Sequence, residues 1–334
     1  MTTIHALEVE RFRDFIRRRH PSTADAFRPL SFGAKTGRSL LDERVSDELV
    51  FEDWALALRA ARDPAIPIEF GATTRVADMG LLGFALLTAP TIGAAIDRAV
   101  RFQALSSTSG TTQVSIERDS VTLRWLRSAP RTLGVRCANE TVIAEFVALN
   151  REIAPCRPSA IQFAHPAPSD TRAHRAFFDA PITWNAPVDQ VTWPASLLDR
   201  VPRGADRELS AYFDDAAARR LAELRFDAPI DERVRHEIRR RISEGTPKLR
   251  DVALALGESE DSVQRALQRV DTSFRALVDD VRRAVAAELL ERKDLSLTEV
   301  AFLLGFSELS AFSRAYRRWF GRAPFRARGS SDPR

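Results

Sequence analysis

Cysteine is scarce in this sequence of 334 residues, which contains only Cys137 and Cys156. The two residues form no CxxC pair, so we expect neither a disulfide framework nor a structural zinc site, and a reducing compartment is favoured. Residues 1–14 also lack the apolar core of a secretory signal, because charged residues are interspersed among them. These absences predict a cytoplasmic protein.

An uninterrupted membrane-spanning helix is missing too. Residues 79–96 carry no charge and approach the length of a membrane span, but Pro90 and three glycines interrupt them. Because proline breaks a helix in its interior, Pro90 argues against a single spanning helix. We predict two short buried helices in this run and no membrane partner.

Catalytic motifs are absent as well. There is no Gly-x-Ser-x-Gly elbow, Walker loop, dinucleotide-binding glycine fingerprint or His-Glu-x-x-His pair. His165 and His174 are nine residues apart with Cys156 nearby, which is a loose spacing for a metal site. We predict that the protein is not an enzyme and has no catalytic residues, no metal site and no cofactor. A haem- or metal-dependent sensor is the less favoured alternative.

The length and composition of the chain indicate two globular domains. Hydrophobic residues make up 44% and charged residues 29%, as in folded soluble domains, and 334 residues exceed one ordinary core. A composition change near residue 203 separates the parts. We predict a front domain at 1–203, a linker helix region at 204–230, a back domain at 231–328 and a disordered tail at 329–334.

The front domain mixes helical and strand patterns. Residues 113–126 alternate in hydrophobicity about a turn at Arg118, which predicts a β-hairpin. Helical periodicity covers residues 53–61, 94–105 and 141–153, and short β-prone runs lie at 160–163, 182–184 and 190–193. We predict an α+β fold in which helices pack against a small, mainly antiparallel sheet.

Every segment of the back domain is helical by pattern, and we predict seven helices in an all-α fold. Ser296 and Glu299 form a capping box, in which each side chain accepts from the other residue's backbone N–H. Thr246 before Pro247 predicts another N-cap. Glycines mark the expected helix ends, because glycine tolerates the left-handed conformation there; these are Gly257, Gly305 and Gly321.

The back domain contains an internal duplication. VALALG at 252–257 matches VAFLLG at 300–305, and SEDSVQR at 259–265 matches ELSAFSR at 308–314. Each copy predicts a short helix, a glycine turn and a second helix, which is the helix-turn-helix that enters the major groove of DNA.

A helix at 273–292 joins the two copies and would span about 30 Å, close to the repeat of the DNA duplex. We therefore expect recognition helices in successive major grooves. One face of the connector is predicted to be buried, at Phe274, Leu277, Val278, Val281, Val285 and Leu289. We also expect Phe302, Phe312 and Trp319 to pack in the core.

The charge distribution favours a polyanionic partner. The net charge is +4, and residues 231–328 hold 20 Lys and Arg against 16 Asp and Glu, so this segment carries the whole excess. Six arginines and no acidic residue lie within 314–328. Together with the duplicated motif, this predicts double-stranded DNA as the partner.

The run at 297–324, LTEVAFLLGFSELSAFSRAYRRWFGRAP, resembles the signature of the AraC/XylS family of transcription regulators. The resemblance implies base contacts from the second helix of each copy: Asp261, Gln264 and Arg265 in the first, and Leu309, Ser310, Ala311 and Arg314 in the second. Arginine suits guanine, glutamine suits adenine, and alanine suits the thymine methyl group. We assign Arg317, Arg318 and Arg322 to phosphates.

Two departures from the family pattern concern the first copy. Glu260 and Asp261 stand where relatives carry neutral or basic residues, and Asp271 replaces a frequent glycine. An acid facing the groove repels phosphate or requires a cytosine donor, so the first copy is expected to bind weakly or to read an unusual base.

The front domain resembles the N-terminal ligand-binding and dimerisation domain of AraC relatives grouped with ornithine-utilisation regulators. The matching runs are MGLLGFALLTAPTIGAA at 79–95, IQFAHP at 161–166 and FFDAPITW at 177–184. The resemblance implies a homodimeric, sequence-specific regulator, an activator by family, that is controlled by an unidentified small molecule and works with RNA polymerase. No effector-binding residues follow from it; Arg98 and His165 are candidates, with structural roles favoured. An effector-independent architectural DNA-binding protein is the alternative.

Overall fold

The computed structural model describes residues 2–24, 27–28, 43–127, 129–227, 229–290 and 295–327. The chain forms two compact units, Met1–Ala222 and Glu223–Arg334, and each is described here by itself. The tail predicted at 329–334 lies outside the described residues, as do Arg328 and the last residues of the predicted connector.

The first unit combines helices with two sheets, which confirms the predicted α+β fold. Its helices are α1 (Ala6–Arg19), α2 (Pro21–Ala24), α3 (Asp47–Ala61), α4 (Ile66–Ala72), α5 (Gly80–Leu87), α6 (Ile92–Phe102), α7 (Leu133–Ile153) and α8 (Arg172–Phe178), and α9 (Arg207–Asp227) ends beyond the unit boundary. Its strands are β1 (Thr3–His5), β2 (Arg44–Ser46), β3 (Thr111–Ile116), β4 (Ser120–Leu126), β5 (Ala160–Gln162), β6 (Ile182–Thr183) and β7 (Asp189–Pro194).

The larger sheet has the strand order β3-β4-β7-β5-β6 and is mainly antiparallel, as predicted. The predicted hairpin is β3–β4, with Ile116 paired to Val121 across the turn. Among the described strands only β5 and β6 pair in parallel. Strands β1 and β2 form a separate antiparallel pair.

Helix α7 lies between two hydrophobic clusters of the first unit. Ile143 and Val147 face one cluster, with Trp193 of the sheet, and Cys137 faces the other, with Trp54 of α3. A helix buried on most sides cannot rely on an amphipathic pattern, and its polar side chains need partners inside the protein.

Glu140 is the most deeply buried acid of α7, with 1% of its surface exposed. His174 Nε2 lies 2.8 Å from its Oε2, and His165 Nε2 lies 3.1 Å from its Oε1. Burial alone would raise the pKa of Glu140, but interactions with the two histidine rings outweigh burial and hold the pKa at about 2. The cluster ties α7 to α8 and to the chain after β5.

Helix α9 lies in the region predicted as a linker, and its residues up to Ala222 pack against other elements of the first unit. Phe213 stacks on Phe84 with ring centroids 5.3 Å apart, and Arg98 Nε donates to Asp214 Oδ1 over 2.9 Å. Ala217 and Leu221 of α9 are buried.

The uncharged run at 79–96 forms α5 and the start of α6, with the break at Pro90 that was predicted. In the part of the chain that the structure describes, no single helix is long and apolar enough to cross a membrane. Helix α4 and the segment Val76–Leu87 are long and apolar enough for a membrane span only when taken as a pair, and this pair is bent by 90°.

The second unit is all-α. Its described residues contain the seven predicted helices: α10 (Ile230–Arg241), α11 (Leu249–Ala255), α12 (Glu260–Arg269), α13 (Phe274–Leu290), α14 (Leu297–Leu303), α15 (Leu309–Phe320) and α16 (Pro324–Ala327). The predicted face of α13 is buried or half-buried and contributes to two small cores, one under each copy of the duplication.

The capping predictions were right at one position and wrong at another. Ser296 and Glu299 form the predicted capping box of α14. Thr246 does not cap α11, which begins two residues later than expected, at Leu249. The Thr246 hydroxyl instead donates to the carbonyl oxygen of Gly305 over 2.9 Å, a distant partner that local sequence does not reveal.

The core prediction for Phe302 was also wrong. Phe312 is fully buried and Trp319 is half-buried, but Phe302 has 55% of its surface exposed. The buried face of α14 carries Val300, Ala301 and Leu304, which leaves Phe302 on the opposite side.

We expect alanine to be tolerated differently at two equivalent glycines. Gly257 and Gly305 both have φ +70, but a Cβ at Gly305 would lie 2.3 Å from the Gly245 carbonyl oxygen, whereas one at Gly257 meets nothing within 4 Å. Gly257→Ala should lower the free energy of unfolding by about 1–2 kcal/mol, because alanine disfavours the left-handed conformation that glycine adopts readily. Gly305→Ala should destabilise the unit further because the Gly245 backbone must also move.

Differential scanning calorimetry of the full chain tests this comparison. The drop in unfolding temperature should be clearly larger for Gly305→Ala than for Gly257→Ala, and equal drops would contradict the steric argument.

Candidate nucleic-acid interface and ligand cavity

Helix α12 is the second helix of the first copy, and it presents a polar exposed face. Ser259 caps it by accepting from the backbone N–H of Ser262 over 3.1 Å. Val263 and Leu267 are buried against the rest of the unit, so the opposite side of the helix faces solvent. The predicted base-contacting residues lie on that side, and all are exposed: Asp261, Gln264 and Arg265.

Helix α15 occupies the equivalent position in the second copy. Phe312, Ala315 and Tyr316 point into its small core, and Gly321 ends the helix in the left-handed conformation. Leu309, Ser310 and Arg314 are exposed and Ala311 is half-buried. The structure therefore brings the four predicted residues of this copy onto one helix beside solvent.

The basic residues of α15 differ in their contacts. Arg318 Nη2 lies 2.6 Å from Asp279 Oδ1, and Trp319 Nε1 donates to the other oxygen of the same carboxylate, so Asp279 holds α15 against α13. Arg314 Nη2 is 3.6 Å from Glu308 Oε1, which is a loose and exposed ion pair. Arg317 and Arg322 are exposed.

The acidic residues of the first copy lie at the start of α12. Glu260 and Asp261 are exposed in its first turn, where carboxylates stabilise the N-terminal end of the helix dipole. Asp271, the other departure, has φ +52, which is the left-handed conformation that glycine adopts most readily. The helix dipole therefore accounts for the acids at 260 and 261, whereas the backbone at 271 accounts for the glycine of the relatives and not for the aspartate.

Arg282 of α13 connects the two copies. Its Nε donates to the Leu304 carbonyl oxygen over 2.9 Å, and its Nη2 donates to the Gly305 carbonyl oxygen over 2.8 Å and to Thr246 Oγ1 over 3.1 Å. The guanidinium lies 4.2 Å from the centroid of the Phe306 ring. Burial lowers the pKa of Arg282. This residue fixes the turn of the second copy to the chain that precedes the first.

Sequence reasoning missed Arg282, although a signal was present. Val278 and Val285 lie four residues before it and three residues after it, which places a cation beside the buried face of a helix.

The first unit contains a cavity of about 150 Å³, measured as the space open to the centres of water molecules. This is about ten times the space that one water needs. Most of the lining is apolar: Ile4, Val50, Trp54, Met79, Leu82, Leu86, Ile92, Ala95, Ile96, Ala99, Leu123, Trp125, Ala138, Val142, Phe146, Leu149, Ile153, Trp193 and Leu197.

Three ionisable residues interrupt this apolar lining: Glu8 of α1, Arg127 after β4 and Glu145 of α7. All three are half-buried. Burial and the nearby charge of Glu8 raise the pKa of Glu145 to about 8, and burial also raises the pKa of Glu8. Burial lowers the pKa of Arg127 to about 10.

The two effector candidates considered from the sequence lie outside this lining. Arg98 donates to Asp214, Ser210 and the Ala85 carbonyl oxygen, and His165 lies against Glu140. Within the described ranges no group of three His, Cys, Asp or Glu side chains is arranged to hold a metal ion.

Comparison with known proteins identifies both units. Residues 34–201 match the N-terminal arabinose-binding domain of AraC transcription regulators, and residues 252–330 match a helix-turn-helix domain. The chain belongs to the AraC family of transcription regulators. It is therefore a DNA-binding transcription regulator with an N-terminal ligand-binding domain, and it is not an enzyme.

Two transcription regulators and one solved structure illustrate what this chain is similar to. The ornithine utilization regulator of Pseudomonas aeruginosa is 26% identical over 264 residues, which is 78% of each chain. The regulator VirS of Mycobacterium tuberculosis is 37% identical over 110 residues, or 32% of each chain. The crystal structure of the regulator CdpR from Pseudomonas aeruginosa covers 97% of this chain and 98% of its own, with 19% identity and a TM-score of 0.46.

The family resemblance did not point to the ionisable residues of the cavity. Glu145 had the clearest signal in the sequence, because Thr141, Val142 and Leu149 lie on the same face of the helix predicted at 141–153. A carboxylate on an otherwise apolar face is costly unless it has a partner or a function.

The raised pKa of Glu145 predicts a pH-dependent stability. The folded chain binds this proton below about pH 8 and the unfolded chain only below about pH 4.5, so the stabilisation that the proton provides is lost as pH rises between these values. Glu145→Gln should change the free energy of unfolding little near the lower pH and raise it near the upper one, by about 1 kcal/mol or more.

Urea unfolding at the two pH values, followed by tryptophan fluorescence, measures this effect. Four of the five tryptophans lie in the first unit, so the signal reports mainly on it. Glu117→Gln, a substitution of an exposed residue, serves as the control. A stability difference that is the same at both pH values would contradict the assignment.

Proposed function

We propose that this AraC-family chain binds specific promoter half-sites with α12 and α15 in successive major grooves, and that an effector in the front cavity controls it. The observation that carries the proposal is the pair of exposed second helices, held in one unit by α13 and Arg282. Helix α13 has 17 residues and spans about 26 Å, which is of the same order as the repeat of the duplex.

The proposed base contacts follow from chemistry and exposure. Arg265 and Arg314 offer paired donors for guanine O6 and N7, and Gln264 suits adenine. Asp261 would accept from a cytosine N4 group, and Ala311 would contact a thymine methyl group. Leu309 and Ser310 complete the exposed side of α15. Arg317, Arg318 and Arg322 are assigned to phosphates, with Arg318 also held by Asp279.

A second copy of the chain, RNA polymerase and a small-molecule effector are proposed as partners on the basis of the family. Such a regulator acts in the cytoplasm as a homodimer and contacts RNA polymerase at the promoter. The names of the matching domain and of one relative refer to arabinose and to ornithine utilization, so both compounds belong in an effector screen. The effector-independent architectural alternative is less well supported, because the first unit contains a cavity with room for a small organic molecule.

Selection of binding sequences from random duplexes tests the function. We expect enrichment of a two-part site and, at moderate salt, binding about a thousandfold or more tighter than to random DNA. Affinity should also fall steeply as salt increases, because bound arginines release counterions. Equal affinity for selected and random duplexes would refute sequence-specific regulation and favour the architectural alternative.

Arg314 and Arg317 should behave differently when each is replaced by alanine. Arg314→Ala should lose about 1–3 kcal/mol of binding free energy on the selected site and relax the preference at one base position. Arg317→Ala should weaken all sequences alike and reduce the salt slope by about 1. Arg317 is preferred to Arg318 for this test because Arg318 also holds α15 on α13.

Binding of both variants to the same library provides the comparison. Identical profiles of lost affinity across sequences would overturn the division between base and phosphate contacts.

A further inference from the structure

Two groups of polar side chains with opposite chemistry line the front cavity, beside six neutral residues that can both donate and accept: Gln103, Ser106, Ser107, Ser109, Thr112 and Thr141. The sheet wall, formed by β4, β7 and the residue after β4, contributes the N–H donors of Trp125, Arg127 and Trp193. The helical wall, formed by α1 and α7, contributes the oxygens of Glu8, Glu145 and Asn150. The cationic donor and the two carboxylates therefore come from different elements around one mainly apolar space.

Four donor atoms of the sheet wall are buried without an acceptor among the described residues. Arg127 Nε and Nη1 are buried without a hydrogen bond, and so are the indole nitrogens of Trp125 and Trp193. The Arg127 guanidinium packs against the rings of Phe51 and Trp125, with centroid distances of 4.7 and 5.4 Å, which positions it without satisfying its donors. Buried polar groups are normally hydrogen-bonded, so this wall is suited to an anionic acceptor such as a carboxylate.

The helical wall has the opposite chemistry. Asn150 Oδ1 is buried without a partner, and Glu145 accepts a single described hydrogen bond, from Thr74 Oγ1 over 3.1 Å. Arg11, Arg44 and Arg127 lie near Glu8 but do not overcome its burial, and the Glu8 charge disfavours ionisation of Glu145. Two carboxylates in an apolar space require a shared proton or a cation between them.

We propose that the cavity binds an amphoteric effector, with an apolar body, an anionic group at Arg127 and Trp125, and an amine at Glu8, Glu145 and Asn150. The inference rests on the proposed function, in which this cavity is the effector site. A neutral apolar compound leaves the donors of the sheet wall unpaired. A monocarboxylic acid pairs Arg127 but offers no donor to Glu145 and Asn150. A simple amine donates to Glu145 and Asn150 but leaves the donors of Arg127 unpaired.

Isothermal titration calorimetry of the full chain tests the proposal with probes that share one carbon skeleton. At each length from about six to twelve carbons, the series contains the 2-amino acid, the ω-amino acid, the plain carboxylic acid and the plain amine. At one or more lengths an amino acid should bind about tenfold or more tighter than both singly charged compounds. If a plain acid or amine binds as tightly as the amino acids at every length, or if no amino acid binds, the proposal is overturned.

Variants identify the two walls. Arg127→Gln should lower the affinity of the amino acid to that of the plain amine, and Glu145→Gln should lower it towards that of the plain acid. Arg118→Gln and Glu117→Gln, on the exposed turn of the β3–β4 hairpin, are matched controls that should leave affinity unchanged. Losses of equal size in the control variants would overturn the assignment.

A second measurement needs no variant. The raised pKa keeps Glu145 protonated below about pH 8, and a bound ammonium group favours its ionised form and should release that proton. Titrations in buffers of different ionisation enthalpy count the released protons. Release with the amino acid but not with the plain carboxylic acid supports the proposal, and release with neither contradicts it. The same protein preparations are also tested for binding to the selected duplex. If they bind the duplex but no amino acid, the effector class is wrong and the proposed DNA recognition still holds.

Discussion

The burial of α7 is the constraint on which the first unit depends. Of its 21 residues, 14 are buried, because the helix lies between two hydrophobic clusters and the sheet. Its polar side chains must therefore find partners inside the protein. Asn139 donates to Asp189 over 2.9 Å, Glu140 pairs with two histidines, and Thr141 donates to a backbone carbonyl. Glu145 and Asn150 differ because they line the cavity, so one helix both organises the cores and supplies the acceptors of the proposed effector site.

In the second unit, Arg282 is the residue on which the arrangement of the two copies depends. Each small core contains part of α13, but apolar contacts alone do not fix the orientation of one copy relative to the other. Three directional hydrogen bonds from one guanidinium to Thr246, Leu304 and Gly305 provide that constraint. The close approach of Gly305 to Gly245 adds a steric one. These contacts constrain the spacing of α12 and α15, on which the proposed recognition of a two-part site depends.

Local features of the fold could be predicted from the sequence, and features formed by distant residues could not. The β3–β4 hairpin, the capping box at Ser296 and the left-handed glycines each depend on residues a few positions apart. Thr246 failed as a predicted cap because its partner is the Gly305 carbonyl, 59 positions away in the chain. The cavity was missed for the same reason, since Glu8, Arg127 and Glu145 come from separate elements that only the folded unit brings together.

The two copies of the duplication differ in how their helix ends and turns are held as well as in charge. Helix α14 begins with a capping box, whereas Lys248, at the equivalent position before α11, makes no side-chain cap. Gly305 packs against the backbone of Gly245, whereas the equivalent Gly257 faces open space. At the second helix the difference is reversed, because Ser259 caps α12 and Glu308 makes no side-chain cap for α15. Capping therefore does not favour one copy throughout. Charge does distinguish the copies: α15 carries Arg314 without the acidic first turn of α12, which favours the second copy for the firmer contact with DNA in the proposed complex.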